Sequence, residues 1–261
     1  MPGIGTGLGI GYPLVGSKPA VTFPPFVKTR LDAYADLLTG AGGSNIRVNG
    51  QYNNIGSFAS ALYTLFGDIP DFFAVRSTQN MGTGITAYSF LGNAGVLVNG
   101  PTWGVDGINW ITSSKMTATL PAGALFAIYS CLKPSALGLQ LQSYLGAGEG
   151  AFWTTYSDDN FYNQIGTSFA IGSGISAGIW YTFCGLTNAR IRNLCKNGAV
   201  LATQSGAAAG VVLGSKDLFN AATGPVMGSF IMPVNMDFSD AQILSIHNAY
   251  KTTIGLGLGL P

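Results

Sequence analysis

Few residues in this chain are of types that do covalent or acid–base chemistry. The sequence holds one glutamate, Glu149, one histidine, His247, and three cysteines, Cys131, Cys184 and Cys195. Glycoside hydrolysis needs two carboxylates about 5–10 Å apart, one of them a protonated acid. Glu149 sits in the glycine-rich run GAGEGA with no carboxylate at alternating positions beside it, and it reads as a loop residue. The acidic pair Asp158-Asp159 reads as a turn. A Ser–His–Asp relay would have to use His247, which falls in a helical pattern where it is solvated or covers the core. One histidine and three scattered cysteines do not supply a zinc site. The cysteines read as buried reduced thiols, or as a single Cys184–Cys195 bridge with one thiol left over. Calcium needs clustered oxygens; Asp106 with Asn109, or Asp158, Asp159 and Asn160, would be the donors, although no calcium loop is present. GIGTGLG at 3–9 follows no strand and opens no helix, so it is not a dinucleotide site. The expectation is a protein that is not an enzyme and needs no cofactor.

Aromatic residues beside amides and carboxylates suggest a different chemistry. Sugar sites combine aromatic faces with a few hydrogen-bonding groups. The run 152–164 holds Trp153, Tyr156, Asp158, Asp159, Asn160, Tyr162 and Asn163, the first five of them the candidate glycan contacts. On a strand, Trp153 and Phe152 face opposite ways, so one set enters the core and the other is free for a ligand. Trp103, Trp110 and Trp180 read as core.

Charged residues are 9% of the chain, against roughly 25% in an average soluble domain. Apolar residues at 47% are enough for a large core, and the net charge is +1 with no basic stripe for nucleic acid. So little surface charge fits a protein covered by neighbouring subunits, or a monomer with a Ser/Thr/Asn/Gly surface. No leader-like segment opens the chain, and no apolar run is long enough for a membrane helix. Synthesis in a host cytoplasm fits these features.

These residues must be positioned by a mainly β scaffold. Residues 1–24 are a glycine-rich arm with Ile4, Leu8 and Ile10 at alternating positions, and 255–261, GLGLGLP, repeat the pattern with Leu256, Leu258 and Leu260. Both read as extended arms that pair with a neighbouring subunit or sheet edge, or as tails lying on their own domain. Residues 25–70 form a helical docking segment, with helices over 26–38 and 57–67 and a hairpin at Asn49-Gly50 between them. From 71 to 254, short apolar runs alternate with Gly/Asn/Ser punctuation, the pattern of an antiparallel sandwich. Asn197-Gly198 marks a hairpin, and Ser239 with Gln242 forms a capping box opening a final helix that buries Ile243, Ile246 and Tyr250.

The order of motifs over 179–254 carries a resemblance. A tryptophan strand (GIWYTFCGL), a strand ending in Asn197-Gly198, a strand ending in glycine (VVLGS) and Phe238-Ser239-Asp240-Ala241-Gln242-Ile243 follow one another. This resembles the C-terminal half of laminin-G-like, concanavalin A-like jelly-roll domains, with Tyr181 after Trp180 in place of the usual histidine later in that strand. The resemblance implies an antiparallel jelly-roll β-sandwich with an N-terminal helical segment and a short closing C-terminal helix. It also implies a fold that hosts lectins, glycosidases and rim calcium sites. The stretches RSTQNMGTGITAYSF and VLVNGPTWGVDG, with the glycine-rich ends, look like bacteriophage structural proteins. The expectation is a non-enzymatic virion protein, a capsid decoration, head-fibre or tail component. Its partners would be copies of itself, the major capsid or tail proteins, and host glycans. The alternative is a lectin-like module for attachment to a host surface.

Overall fold

Short apolar runs broken by glycine and asparagine fold into antiparallel strands. The computed structural model describes residues 22–40, 51–75, 85–104, 106–120, 126–135, 141–146, 150–153, 161–165, 168–187, 191–205, 214–221, 226–231 and 238–261. The elements there are α1 (Pro25–Gly40), α2 (Gln51–Phe66), β1 (Phe72–Phe73), β2 (Thr86–Tyr88), β3 (Ala94–Val98), β4 (Thr102–Trp103), β5 (Ile108–Asn109) and β6 (Lys115–Leu120). They continue with β7 (Phe126–Lys133), β8 (Leu141–Gly146), β9 (Gly150–Trp153), β10 (Phe161–Ile165), β11 (Ser168–Gly172) and β12 (Tyr181–Thr187). The last are β13 (Ile191–Lys196), β14 (Ala199–Ser205), β15 (Gly214–Ala221), β16 (Val226–Ile231) and α3 (Asp240–Thr252).

Two antiparallel sheets form a β-sandwich. The inner sheet has the order β14-β13-β12-β7-β16-β5-β4, with β1 also paired to β16, and the outer sheet β11-β10-β9-β8-β15-β6-β3-β2. The helices cover one face of the inner sheet. Val27, Leu31 and Leu38 of α1, Ile55, Phe58 and Leu62 of α2, and Ile243, Ile246 and Tyr250 of α3 share one core with Tyr129, Cys131, Cys184 and Cys195. Phe58 meets Phe72 and Tyr250 edge-on, at 5.2 and 5.6 Å between ring centres. The alternate residues Ser130, Leu132 and Phe183 are equally buried on the other face of the inner sheet. There β10 and β11 of the outer sheet approach β13 and β14.

The closing helix is capped as its sequence requires. The Ser239 hydroxyl accepts from the Gln242 amide at 3.3 Å, and the Gln242 side-chain oxygen accepts from the Ser239 amide at 2.9 Å. The Asn197-Gly198 turn has φ of 51° and 81°, the left-handed pair of a two-residue hairpin. It is pinned to β12, because the Asn197 side-chain oxygen accepts from the Thr182 amide at 3.0 Å. A side chain at Gly198 would run into Leu244 and His247 of α3, so glycine is required twice over at this position. All three cysteines are free and buried, and Cys184 faces Cys195 across the β12–β13 ladder.

Several expectations are corrected. Helix α2 begins at Gln51 rather than Ser57, so Gly56 lies inside it. There a Cβ would collide with the Phe23 ring and Leu31, and close helix packing outweighs the glycine's poor propensity. The residues after Asn49-Gly50 are therefore helical, while 41–50 lie outside the described residues. Of the expected strand 211-VVLGS-215, residues 211–213 lie outside the described residues; Gly214 and Ser215 belong to β15, which runs on through Lys216, Asp217 and Asn220. Strands β2, β4, β6 and β10 were not anticipated. Ile4, Leu8 and Ile10 lie outside the described residues.

Residues 255–261 are not an extended strand. They turn back over α3, with Gly257 and Gly259 at φ of 86° and 70°, and they bury Leu258 and Leu260 while leaving Leu256 61% exposed. Left-handed glycines reverse the chain where an alternating sequence suggested a straight one. His247, expected in part as a solvated residue, is buried under this segment. Its Nε2 lies 3.1 Å from the Pro261 carbonyl and its Nδ1 2.8 Å from the Thr182 hydroxyl. A carbonyl only accepts, so neutral His247 carries its proton on Nε2 and accepts from Thr182 at Nδ1.

Two predictions follow from this packing. Replacing Leu258 and Leu260 together by alanine lowers unfolding stability by about 3–5 kcal/mol in urea titrations, whereas Leu256→Ala changes it by less than about 0.5 kcal/mol. Burial, with Lys251 nearby, lowers the His247 pKa below its ordinary value. The unfolded chain then binds the proton more readily, so this contribution is intact above the unfolded value of about 6.5 and is lost as pH falls below it. The urea midpoint decreases from pH 7.5 to 5.5, and His247→Gln flattens that decrease.

Candidate functional site

Strand β6, KMTATL, alternates polar and apolar residues, and the alternation separates the two faces of the outer sheet. Met116 and Ala118 are buried together with Leu97 of β3. Lys115, Thr117 and Thr119 point the other way, beside Ala94, Val96 and Val98 of β3 and Ser215 of β15. These residues line an open groove of about 450 Å³. Val96 is 40% exposed, and Thr119 and Ser215 are also exposed. Among the described residues, the three helices pack on the inner sheet and, through Tyr34, on the β2 edge of the outer sheet, and none lies over this groove.

The groove has an apolar wall and a polar floor. β3 supplies the valines. On the floor, Lys115 donates to one Asp217 carboxylate oxygen at 2.9 Å, and the Thr117 hydroxyl donates to the other at 3.1 Å. The pair is about one-third exposed on each side, so it contributes less than about 1 kcal/mol to stability. It fixes the carboxylate orientation and cancels the charge of Lys115.

Backbone register extends this face well beyond the groove. Directly opposed residues in a sheet share a face. One row runs Val96, Thr117, Asp217, Tyr144, Ala151 and Gln164 across β3, β6, β15, β8, β9 and β10. The next runs Val98, Lys115, Asn220, Gln142, Trp153 and Tyr162 across the same strands. A bulge in β15 between Asp217 and Phe219 makes this possible. Asp217 and Asn220 are three positions apart and would otherwise lie on opposite faces; the extra residue returns both to the open one.

Trp153 therefore lies at a register position on the open face, and Phe152, opposite Ser143 and Asn163, on the face toward the core side. Tyr156, Asp158, Asp159 and Asn160, the other candidate glycan contacts, lie outside the described residues, as does Glu149. Sequence reasoning missed Lys115, Thr117, Asp217, Gln142 and Tyr144, whereas Tyr162 and Gln164 fall within the run 152–164 that it singled out. The strict alternation in KMTATL was the signal available for the first two.

Other ionisable groups serve the fold. Burial raises the Asp71 pKa, opposed by donors that include Asn93 and the Leu91 amide. The carboxylate accepts from these at 2.6 and 3.0 Å and so holds the turn before β3. Desolvation also raises the Tyr34 and Tyr129 hydroxyls well above their ordinary values. Trp110 and Trp180 are core residues, and Trp103 is half-buried. Among the described residues no cluster of three or more His, Cys, Asp or Glu is arranged for a metal, and no helix is long and apolar enough to cross a membrane.

No protein-family model matches the sequence, and no curated protein does. Solved structures of similar fold are known. Trypanosoma rangeli sialidase in complex with sialic acid aligns with a TM-score of 0.53 at 12% identity, over 70% of this chain and 33% of the sialidase. A mutant of the same enzyme displaying trans-sialidase activity aligns at 0.54 and 11% identity, over 88% of this chain and 39% of the other. The binding domain of botulinum neurotoxin DC in complex with SialylT aligns at 0.48, too low to carry weight. This chain thus spans between a third and two-fifths of the sialidases it matches, and the likeness establishes the fold alone. The expectation that the chain is not an enzyme is corrected by this finding. Its sandwich is of a kind found within sialidase chains, so a single glutamate is no ground for excluding catalysis.

Because the Lys115–Asp217 pair is about one-third exposed on each side, Asp217→Asn shifts the thermal midpoint little, by less than about 1 kcal/mol equivalent. A loss above about 3 kcal/mol would mark the pair as a structural element rather than part of an open surface.

Proposed function

We propose that this chain is a glycan-binding module and that the open face of the outer sheet is its binding surface. The observation that supports this is the register that gathers Trp153, Tyr144 and Tyr162 with Gln142, Gln164, Asn220 and Asp217 on the face of the outer sheet that carries the groove. Flat rings beside amides and carboxylates match the alternating apolar faces and equatorial hydroxyls of sugars. The fold likeness to a sialidase in complex with sialic acid is in keeping with this reading. The test is a broad glycan array followed by titration calorimetry. Retained binding that Trp153→Ala reduces at least tenfold is the expected result, whereas an array on which no glycan is held removes the proposal.

A second reading is assembly into a larger particle, such as a phage virion, through contacts between copies of the chain or with capsid or tail proteins. It is favoured by the low charge together with the exposed apolar side chains of Ile85, Leu244 and Leu256. Light scattering of the purified chain at rising concentration distinguishes the two. A stable oligomer dispersed by Leu244→Ser and Leu256→Ser supports assembly, and a monomer at every concentration speaks against self-association.

A further inference from the structure

We infer that the ligand of this face is a neutral, extended glycan lying across the strands, rather than a single terminal sugar or an acidic one. The inference rests on the glycan-binding reading above and narrows it. Two observations lead to it.

The first is length. The two register rows reach from β3 to β10, five strand-to-strand steps of about 4.8 Å, or roughly 24 Å in all. Positions suited to sugar contact occur at both ends, with Val96 and Thr117 at one and Trp153 and Tyr162 at the other. A single sugar ring covers only a fraction of that distance, and an open groove with exposed sides does not enclose one.

The second is charge. Recognition of an acidic sugar such as sialic acid uses a cation free to bind its carboxylate. On this face Lys115 is held by Asp217, and Asp217 is oriented by Thr117 as well. The pair presents acceptor and donor edges with no net charge, which suits hydroxyl groups. An incoming carboxylate would have to displace Asp217 from Lys115 and leave two anions side by side.

The test uses the full chain with neutral cello-, laminari- and malto-oligosaccharides from monosaccharide to hexasaccharide, and sialyllactose as the acidic probe. In one neutral series, affinity is expected to rise about tenfold or more between disaccharide and hexasaccharide. Val96→Arg, which fills the groove from an exposed position, and Trp153→Ala, at the far end, each weaken the hexasaccharide. A disaccharide responds to one of them at most. Tyr162→Ala replaces Trp153→Ala if circular dichroism shows that variant to be misfolded. Affinity that stops rising at one or two units, or tighter binding of sialyllactose, overturns this inference while leaving glycan binding in place. Failure of every neutral series also overturns it, and the array then decides the glycan reading separately.

Discussion

Burial of the inner sheet on both faces is the constraint on which the rest of the structure depends. Tyr129, Cys131, Cys184 and Cys195 lie under the helices, while Ser130, Leu132 and Phe183 between them are buried on the opposite side. A sheet covered twice needs an element on each face. That demand places α1, α2 and α3 on one side and the outer sheet on the other, and among the described residues no further element covers the far face of the outer sheet. The open surface is a consequence of how the core is closed.

The same constraint explains the behaviour of the least regular segments. The capping box at Ser239 and Gln242 starts α3 at a fixed point. Its buried residues then bring His247 under the chain, where Thr182 and the Pro261 carbonyl satisfy both ring nitrogens. Residues 255–261 close over the helix because Leu258 and Leu260 find apolar surroundings there, and glycine permits the reversals that take them in. Gly198 and Gly56 show the converse use of glycine, as points where one element presses against another.

On the open face, chemistry follows from register more than from composition. Asp217 is 102 and 100 residues from Lys115 and Thr117 in sequence and becomes their neighbour because β6 and β15 pair. Their hydrogen bonds neutralise the groove without closing it. The further strands add aromatic and amide positions in the same two rows. Among the described residues, the two rows run across six strands and the Lys115–Asp217 pair on them carries no net charge.

The sequence by itself determined the elements whose signals are local. Helix α1, the capped start of α3, the Asn197-Gly198 hairpin and the antiparallel sandwich were legible because spacing, caps and turn residues act within a few positions. The opposition of Trp153 and Phe152 was legible too, since alternation is a property of any strand. Only the tertiary structure assigned their register rows to the two faces of the outer sheet, because that depends on which side the core lies. It also decided that the polar segment Gly214–Ala221 is a central strand. Lys216, Asp217 and Asn220 argue against one locally, but Lys115 and Thr117 across the ladder satisfy Asp217, and a one-residue bulge keeps Asn220 on its face. Pairing between distant segments leaves no short-range trace, so the groove could be found only once the strands had been brought together.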